Sequence, residues 1–365
     1  MSKGRVLVAM SGGVDSSVAA ALLVAQGYEC LGVTMRVGSS DSVTDDARAV
    51  ADALGIPLHV FDLREEFRRE VVEVFAAAYM VGRTPNPCVV CNRRIKLGLL
   101  VERAAYLECD YVATGHYART FLDPQSRRWC LAKGRDRVKD QSYYLYGLTQ
   151  KQLARLLLPL GEYAKAKVRA MAADMKLPAA ERKESQDICF MEGRDYRSFL
   201  RESWPESVRH GPIVDRSGHV LGRHDGLAFY TLGQRKGLGV SAREPLYVLE
   251  LDRERNAVVV GSSQELYSNC LVANTVNWVS VAEITGRQPV TARVRYRAEP
   301  EGAVIEELSD GRVLTVFGQP QRAITPGQSV VWYQGDLVIG GGTIENSEPE
   351  HNKVADNESA SDEAE

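Results

Sequence analysis

Two groups of residues in this chain have the types and spacing to do chemistry. The first is Ser11-Gly12-Gly13-Val14-Asp15-Ser16-Ser17, which follows the apolar run Val6-Leu7-Val8-Ala9-Met10 and leads into a helix reaching Gln26. The glycines let the backbone turn tightly with its N–H groups pointing inward. Serine hydroxyls add donors, and the start of the helix adds positive potential, so the loop suits a phosphate-sized anion. It lacks a lysine in the G-x-x-x-x-G-K-[ST] pattern and is not an ordinary P-loop. Asp15 has two readings, a Mg²⁺ ligand against the phosphates or an acid in the first turn of the helix. Thr114-Gly115-His116-Tyr117 ends a later strand, where a doubly wound sheet faces its ligand crevice. Gly115 there either admits a nucleotide or makes a simple turn, and His116 reads as a surface or supporting residue.

The second group is sulfur. Cys88 and Cys91 lie in Gly82-Arg83-Thr84-Pro85-Asn86-Pro87-Cys88-Val89-Val90-Cys91-Asn92-Arg93, and Cys189 lies in Lys183-Glu184-Ser185-Gln186-Asp187-Ile188-Cys189-Phe190. The prolines stiffen the first segment, and helical spacing resumes at Ile95, Leu99 and Leu100. That sets Cys91 at or near a helix N-terminus, a position expected to lower a thiol pKa. Arg182 and Lys183 are expected to support a thiolate at Cys189. Cys30, Cys109, Cys130 and Cys270 stand alone in ordinary contexts and read as small apolar residues. Cys-x-x-Cys by itself suits zinc, redox and iron–sulfur sites alike.

The elements needed to hold these residues follow from periodicity. Strands at Val6–Met10, Cys30–Val37, Pro57–Asp62 and Tyr111–Thr114 alternate with helices, giving an α/β, doubly wound parallel sheet. A long helix is expected over Arg64–Met80. After about Leu200 glycine and proline become frequent, and short alternating runs take over at Thr291–Tyr296, Ala303–Leu308, Val313–Phe317 and Ser329–Tyr333. The expected domains are 1–205 for nucleotide chemistry, 206–265 as a small β-rich unit, 266–344 as an antiparallel β-barrel, and 345–365 as an acidic disordered tail. The chain of 365 residues carries −3 overall and −7 in that tail, so the body carries +4, which is compatible with RNA. No apolar run is long enough to span a bilayer. The N-terminus leaves no room for a signal peptide, so the expectation is a cytoplasmic protein whose seven cysteines are thiols, ligands or catalysts.

Taken in order, these segments resemble the tRNA-specific 2-thiouridylases. The resemblance rests on Ser11–Ser17, Gly82–Pro87, Cys91-Asn92, Ala113–Arg119, Lys139-Asp140-Gln141-Ser142-Tyr143, Glu184–Phe190, Tyr230-Thr231-Leu232-Gly233-Gln234-Arg235-Lys236-Gly237-Leu238-Gly239 and Arg295-Tyr296-Arg297, and covers all but the tail. The first loop resembles that of the N-type ATP pyrophosphatases. The resemblance implies ATP-dependent 2-thiolation of the wobble uridine of tRNA, with adenylation of the base and release of AMP and diphosphate. It implies ATP contacts from Ala9, Met10, Ser11, Gly12, Gly13, Val14, Asp15, Ser16, Met35 and Gly115. Asn86, Pro87 and Cys88 would surround the target base, and Lys139, Asp140, Gln141, Arg295 and Tyr296 would touch tRNA. Cys189 would carry a persulfide received from a sulfur-donor or relay protein, with Cys91 as partner thiol. Many members of the family have Asp where this chain has Cys88. Three thiols, Cys88, Cys91 and Cys189, could therefore hold a [4Fe–4S] cluster or part of a zinc site. Another synthetase of the pyrophosphatase type would not need paired Cys91 and Cys189. A non-catalytic RNA-binding module would not need an intact Ser11–Ser16.

Overall fold

The computed structural model describes residues 3–38, 42–182, 188–191 and 193–347. Lys183 and the tail from 348 onward lie outside the described residues. Five parallel strands open the fold: β1 (Arg5–Ala9), β2 (Glu29–Arg36), β3 (Leu58–Asp62), β4 (Tyr111–Ala113) and, after a detour, Leu156–Leu157. The order is β3-β2-β1-β4 followed by Leu156–Leu157. Val6, Leu7 and Val8 are wholly buried, as a strand covered on both faces must be. Chain direction switches sides between β1 and β4, so the loop after β1 faces the crevice beside Gly115. The helix Val14–Ala25 packs through Val14, Val18 and Leu22 on Val168 and Ala172 of the helix Lys165–Asp174.

Two long helical rods frame the thiols. Residues 64–80 form the first, with a wide-turn stretch at Arg68–Val72. Residues 87–106 form the second, where Pro87–Cys91 passes into a wide π-type segment, Asn92–Leu99. Such widened turns leave carbonyls poorly paired, and here Gln152 Nε2 donates to Arg93 O and Leu97 O at 2.9 and 3.1 Å.

A hairpin that the periodicity did not reveal, β5 (Ala118–Leu122) and β6 (Trp129–Lys133), leaves the parallel sheet; Leu156–Leu157 is then β7. The central unit is a four-stranded sheet of β8 (Gly211–Val214), β9 (Val220–His224), β10 (Tyr247–Asp252) and β11 (Ala257–Gly261). Next come β12 (Tyr267–Trp278), β13 (Gln288–Arg293), β14 (Glu301–Glu307), β15 (Val313–Arg322), β16 (Ser329–Gln334) and β17 (Leu337–Asn346). Their order β12-β15-β14-β13-β16-β17, closed by β12 pairing with β17, is an antiparallel barrel without free edges. Leu337 of β17 pairs with Ala132 of β6, so the hairpin fastens the barrel to the first domain. Tyr143, Tyr146, Val331, Tyr333 and Val338 then share one core with Leu7, Leu31 and Val33. No described helix is long and apolar enough to cross a membrane.

Two expectations change here. Arg295 and Tyr296 do not lie on a strand, because β13 ends at Arg293 and both occupy the turn beyond it. Asp140, expected to touch tRNA, has its side chain buried, being only 2% exposed. Its Oδ1 accepts the N–H groups of Gly134 and Ser142 at 3.0 and 3.1 Å, its Oδ2 accepts Ser142 Oγ at 3.0 Å, and Arg293 lies 3.7 Å away. A buried carboxylate with these partners braces the 134–142 loop against the barrel. Asp140→Ala strips that loop and leaves Arg293 unpaired, so it should destabilise the fold by about 3–5 kcal/mol in a urea titration. Normal stability together with weakened tRNA binding would return Asp140 to the RNA surface.

Candidate active site between the nucleotide loop and the barrel

The loop after β1 owes its shape to Gly12 rather than Gly13. Gly12 has φ +68°, and a Cβ there would fall 2.3 Å from Asp46 Cβ. Gly13 is extended (φ −87°, ψ 163°) as the cap of the following helix, and a Cβ on it would meet only Ser11 Oγ at 3.5 Å. Ser11 N donates to Ser16 Oγ at 3.1 Å, while Ser16 and Ser17 hydroxyls donate to Gly13 O at 3.1 and 2.8 Å. Gly115 backs the loop directly: a Cβ there would sit 2.8 Å from the Asp15 carbonyl carbon and from Ser16 N. Met10 and Val14, 3% and 4% exposed, turn their side chains into the core, so these two positions offer a ligand only their backbone. Met35 is half-buried at the end of β2 and packs beside Phe61 and Leu63.

Asp15 has partners that the sequence did not disclose. Lys165 Nζ reaches both carboxylate oxygens at 2.7 Å, and Tyr117 Oη donates to Oδ1 at 2.6 Å. Lys165 is the first residue of its helix, where the dipole disfavours a cation. That misfit between residue and position was the one readable sign of a special role. Asp15 is the loop's carboxylate and is about a third exposed, with the Lys165 ammonium beside it. His116 donates to or accepts from Thr114 Oγ1 at 2.8 Å, and burial together with the nearby Lys96 charge holds its pKa down at about 3. It is therefore neutral at physiological pH.

Cys88 and Cys91 share one face at the start of the second rod, after Asn86 as cap and Pro87 as first residue. Cys91 is buried against Leu63, Phe67, Val71 and Ile95, and this burial pushes its thiol up to about 11. The expectation of a lowered pKa fails because Cys91 lies a full turn inside the helix, where desolvation outweighs the dipole. Cys88 sits in a recess, its side chain open to solvent yet ringed by protein, and burial also raises its pKa. The Lys96 ammonium opposes the shift at both thiols, and Cys189 adds to it, so the three sulfurs lie within electrostatic reach of one another. Cys189 is exposed, and Phe190 beside it is held by Phe67, Phe75 and Phe199 at centroid distances of 5.9, 5.2 and 5.4 Å. Arg182 does not serve Cys189, because its guanidinium pairs with Asp46. Cys30, Cys109 and Cys130 are buried free thiols. Among the described residues no three His, Cys, Asp or Glu side chains converge as a metal cage. Cys91 is sunk in apolar packing and the other two sulfurs are open, so among the described residues the three thiols are not gathered as a ready-made iron–sulfur or zinc site.

The barrel closes this recess. Thr84 N donates to Pro326 O at 2.9 Å, and Gln328 Nε2 donates to Thr84 O and Pro85 O at 2.9 and 3.2 Å. Asn86 lies beside the Tyr143 hydroxyl and opposes the rise that burial imposes on its pKa. Gln141 is spent internally, its side chain accepting Tyr117 N at 3.0 Å. Arg295 is half-buried, its guanidinium bonded to Ala323 O and to Thr325 Oγ1, so it supports the barrel turn instead of standing out towards RNA. Lys139 and Tyr296 are half-buried.

Sequence comparisons agree with this layout. Residues 4–193 match the family described as tRNA methyl transferase HUP domain, 197–262 the tRNA methyl transferase PRC-barrel domain, and 268–344 the aminomethyltransferase beta-barrel domain. The tRNA-specific 2-thiouridylase MnmA of Moorella thermoacetica is 52% identical over 93% of this chain and 99% of its own. That of Carboxydothermus hydrogenoformans is 49% identical over 94% and 98%. The chain belongs to the tRNA-specific 2-thiouridylase family. The MnmA protein of Desulforamulus reducens is 47% identical over 94% of this chain and 97% of its own, so the thiouridylase likeness runs through all three domains.

Two outcomes follow from the site's geometry. Gly12→Ala should abolish ATP-dependent diphosphate release while Gly13→Ala retains most of it; the reverse ranking would mean that the loop is held differently. Site-resolved alkylation of Cys91 should be slow at neutral pH and rise roughly tenfold per pH unit below about 11, because the thiolate is the reactive form. Lys96→Met should move that curve to higher pH, and a Cys91 fully reactive at pH 7 would contradict the burial argument.

Proposed function

We propose that this enzyme, a tRNA-uridine 2-sulfurtransferase, uses ATP to activate O2 of the wobble uridine and then exchanges that oxygen for sulfur. The observation that carries the reading is the adjacency of an anion-binding loop and a thiol recess. Gly115 abuts the loop backbone, its neighbour His116 feels the Lys96 charge, and the same charge acts on Cys88 and Cys91.

The chemistry fits these parts. A ring carbonyl oxygen leaves poorly until it is esterified, so attack of uridine O2 on the α-phosphorus of ATP, with loss of diphosphate, turns it into the leaving group AMP. The N–H groups of the Ser11–Ser16 loop and the Lys165 ammonium suit the charge that gathers on the phosphates. Mg²⁺, held by Asp15, would supply further charge neutralisation there. Cys189, open to solvent, receives a sulfane sulfur from a donor protein as a persulfide. Its terminal sulfur attacks C2 and expels AMP, giving a disulfide between the base and Cys189. Cys91 then attacks the Cys189 sulfur, so the S–S bond to the base breaks, the thiocarbonyl forms and a Cys91–Cys189 disulfide remains for an external thiol to reduce. The raised pKa of Cys91 suits a thiol that stays protonated until its partner is loaded. Cys88 lines the recess beside the base. The base must leave its stack to arrive there.

The test is mass analysis of tRNA nucleosides after incubation with ATP, Mg²⁺ and a cysteine-desulfurase sulfur source. Wild-type enzyme and Cys88→Ser should form 2-thiouridine, and Cys91→Ser and Cys189→Ser should not, although all four release diphosphate when tRNA is present. Anaerobically purified protein should be colourless and free of iron. Iron and sulfide in that protein, with Cys88→Ser inactive, would favour a cluster route instead.

A further inference from the structure

The Tyr143-Tyr144 pair behind Cys88 has a geometry that core packing does not require. Tyr143 is wholly buried and fills the interior, its hydroxyl donating to Ser329 O at 2.8 Å. Tyr144 goes the other way. Its backbone carbonyl is pinned by Asn92 Nδ2 at 3.3 Å, next to Cys91, and its ring is only half-buried. Tyr296, on the turn after β13, lies against that ring with centroids 4.5 Å apart and planes 33° from parallel. Tyr143 meets Tyr144 edge-on at 5.6 Å and 83°, fixing it from the core side. Burial raises the Tyr144 pKa, and Cys88 adds to that rise, so ring and thiol border one recess. Asn86, beside the Tyr143 hydroxyl, and Arg297, exposed and close enough for its charge to act on Tyr144, border the same ring pair.

A half-open aromatic ring, rigidly backed by a second ring and flanked by an amide, a guanidinium and a thiol, has the makings of a base-stacking site. Every base offers a π-face, and stacking on an aromatic side chain stabilises a single extruded nucleotide substantially. A pyrimidine ring laid on Tyr144 would present its edge towards the recess that holds Cys88 and Asn86. We propose that Tyr144, backed by Tyr296, is the stacking platform that receives the extruded pyrimidine and orients its C2 edge towards the thiols. This rests on the RNA-modifying reading above and names a residue that the reading left without a role.

The test compares binding of anticodon stem-loop RNAs carrying uridine, 5,6-dihydrouridine or an abasic site at the wobble position. Wild-type enzyme and Tyr144→Phe should bind the uridine RNA about tenfold or more tighter than the abasic RNA. The saturated, non-planar dihydrouridine should bind nearly as weakly as the abasic site. Tyr144→Leu should bring the uridine-to-abasic ratio close to one without changing affinity for the abasic RNA. A ratio in Tyr144→Leu equal to the wild-type ratio overturns the proposal. If Tyr144→Leu loses abasic binding as well, through misfolding, the wild-type comparison decides: equal affinity for uridine and dihydrouridine overturns it. Wild-type thiolation of the full tRNA is measured alongside. Its absence would sink the function itself, whereas thiolation with an unaltered Tyr144→Leu ratio sinks only the platform.

Discussion

The contact between the 83–87 segment and the barrel turn at 325–328 is the constraint on which the site depends. Residues Arg83 to Asn86 have no regular structure of their own, and Pro85 and the Pro87 that follows lack backbone donors. What fixes them is the Thr84 N–H to Pro326 bond together with the Gln328 amide, which satisfies the carbonyls of Thr84 and Pro85. With the segment clamped, Asn86 can cap the rod that follows, Cys88 opens into the recess and Cys91 points into the packing of Phe67 and Ile95. The hairpin β5–β6, joined to β17, holds the barrel in the position from which this clamp works.

The thiols illustrate how desolvation and charge compete. Burial of Cys91 favours its neutral form, and the Lys96 ammonium favours the thiolate; burial wins at rest. The consequence is a Cys91 thiol that resists adventitious oxidation, while Cys189 stands at the surface, where the proposed sulfur donor would reach it. On the proposed route, a persulfide at Cys189 would present its sulfur to a Cys91 that is still a protonated thiol at rest. Phe67 belongs to the packing of both Phe190 and Cys91, which ties the segment carrying Cys189 to the rod carrying Cys91.

Much of this was legible in the sequence because some features are local. The Ser11–Ser17 loop declares itself through glycine and serine spacing after a buried strand, and the parallel sheet through alternating runs. Long-range partners were not legible. Lys165 lies far along the chain from Asp15, and only its awkward position at a helix start hinted at a role. Asp140 and Arg295 are charged residues in segments that look exposed, yet their hydrogen bonds turn them inward; burial cannot be read from a charge and its neighbours. Gly12 and Gly13 are adjacent and identical in type, and only the left-handed φ of Gly12 and the approach of Asp46 separate the constrained one from the permissive one. The hairpin at 118–133 escaped because its alternation is short and its turn begins with Asp123-Pro124, a common loop signal.

If ATP activates the very oxygen that sulfur replaces, that oxygen must leave with AMP. Transfer RNA made with ¹⁸O at O2 of the wobble uridine tests this by mass analysis of the AMP formed in a single turnover. One ¹⁸O in the phosphate of AMP is expected for each 2-thiouridine formed. Unlabelled AMP accompanying 2-thiouridine would contradict it, because the oxygen would then have left by a route that ATP does not touch.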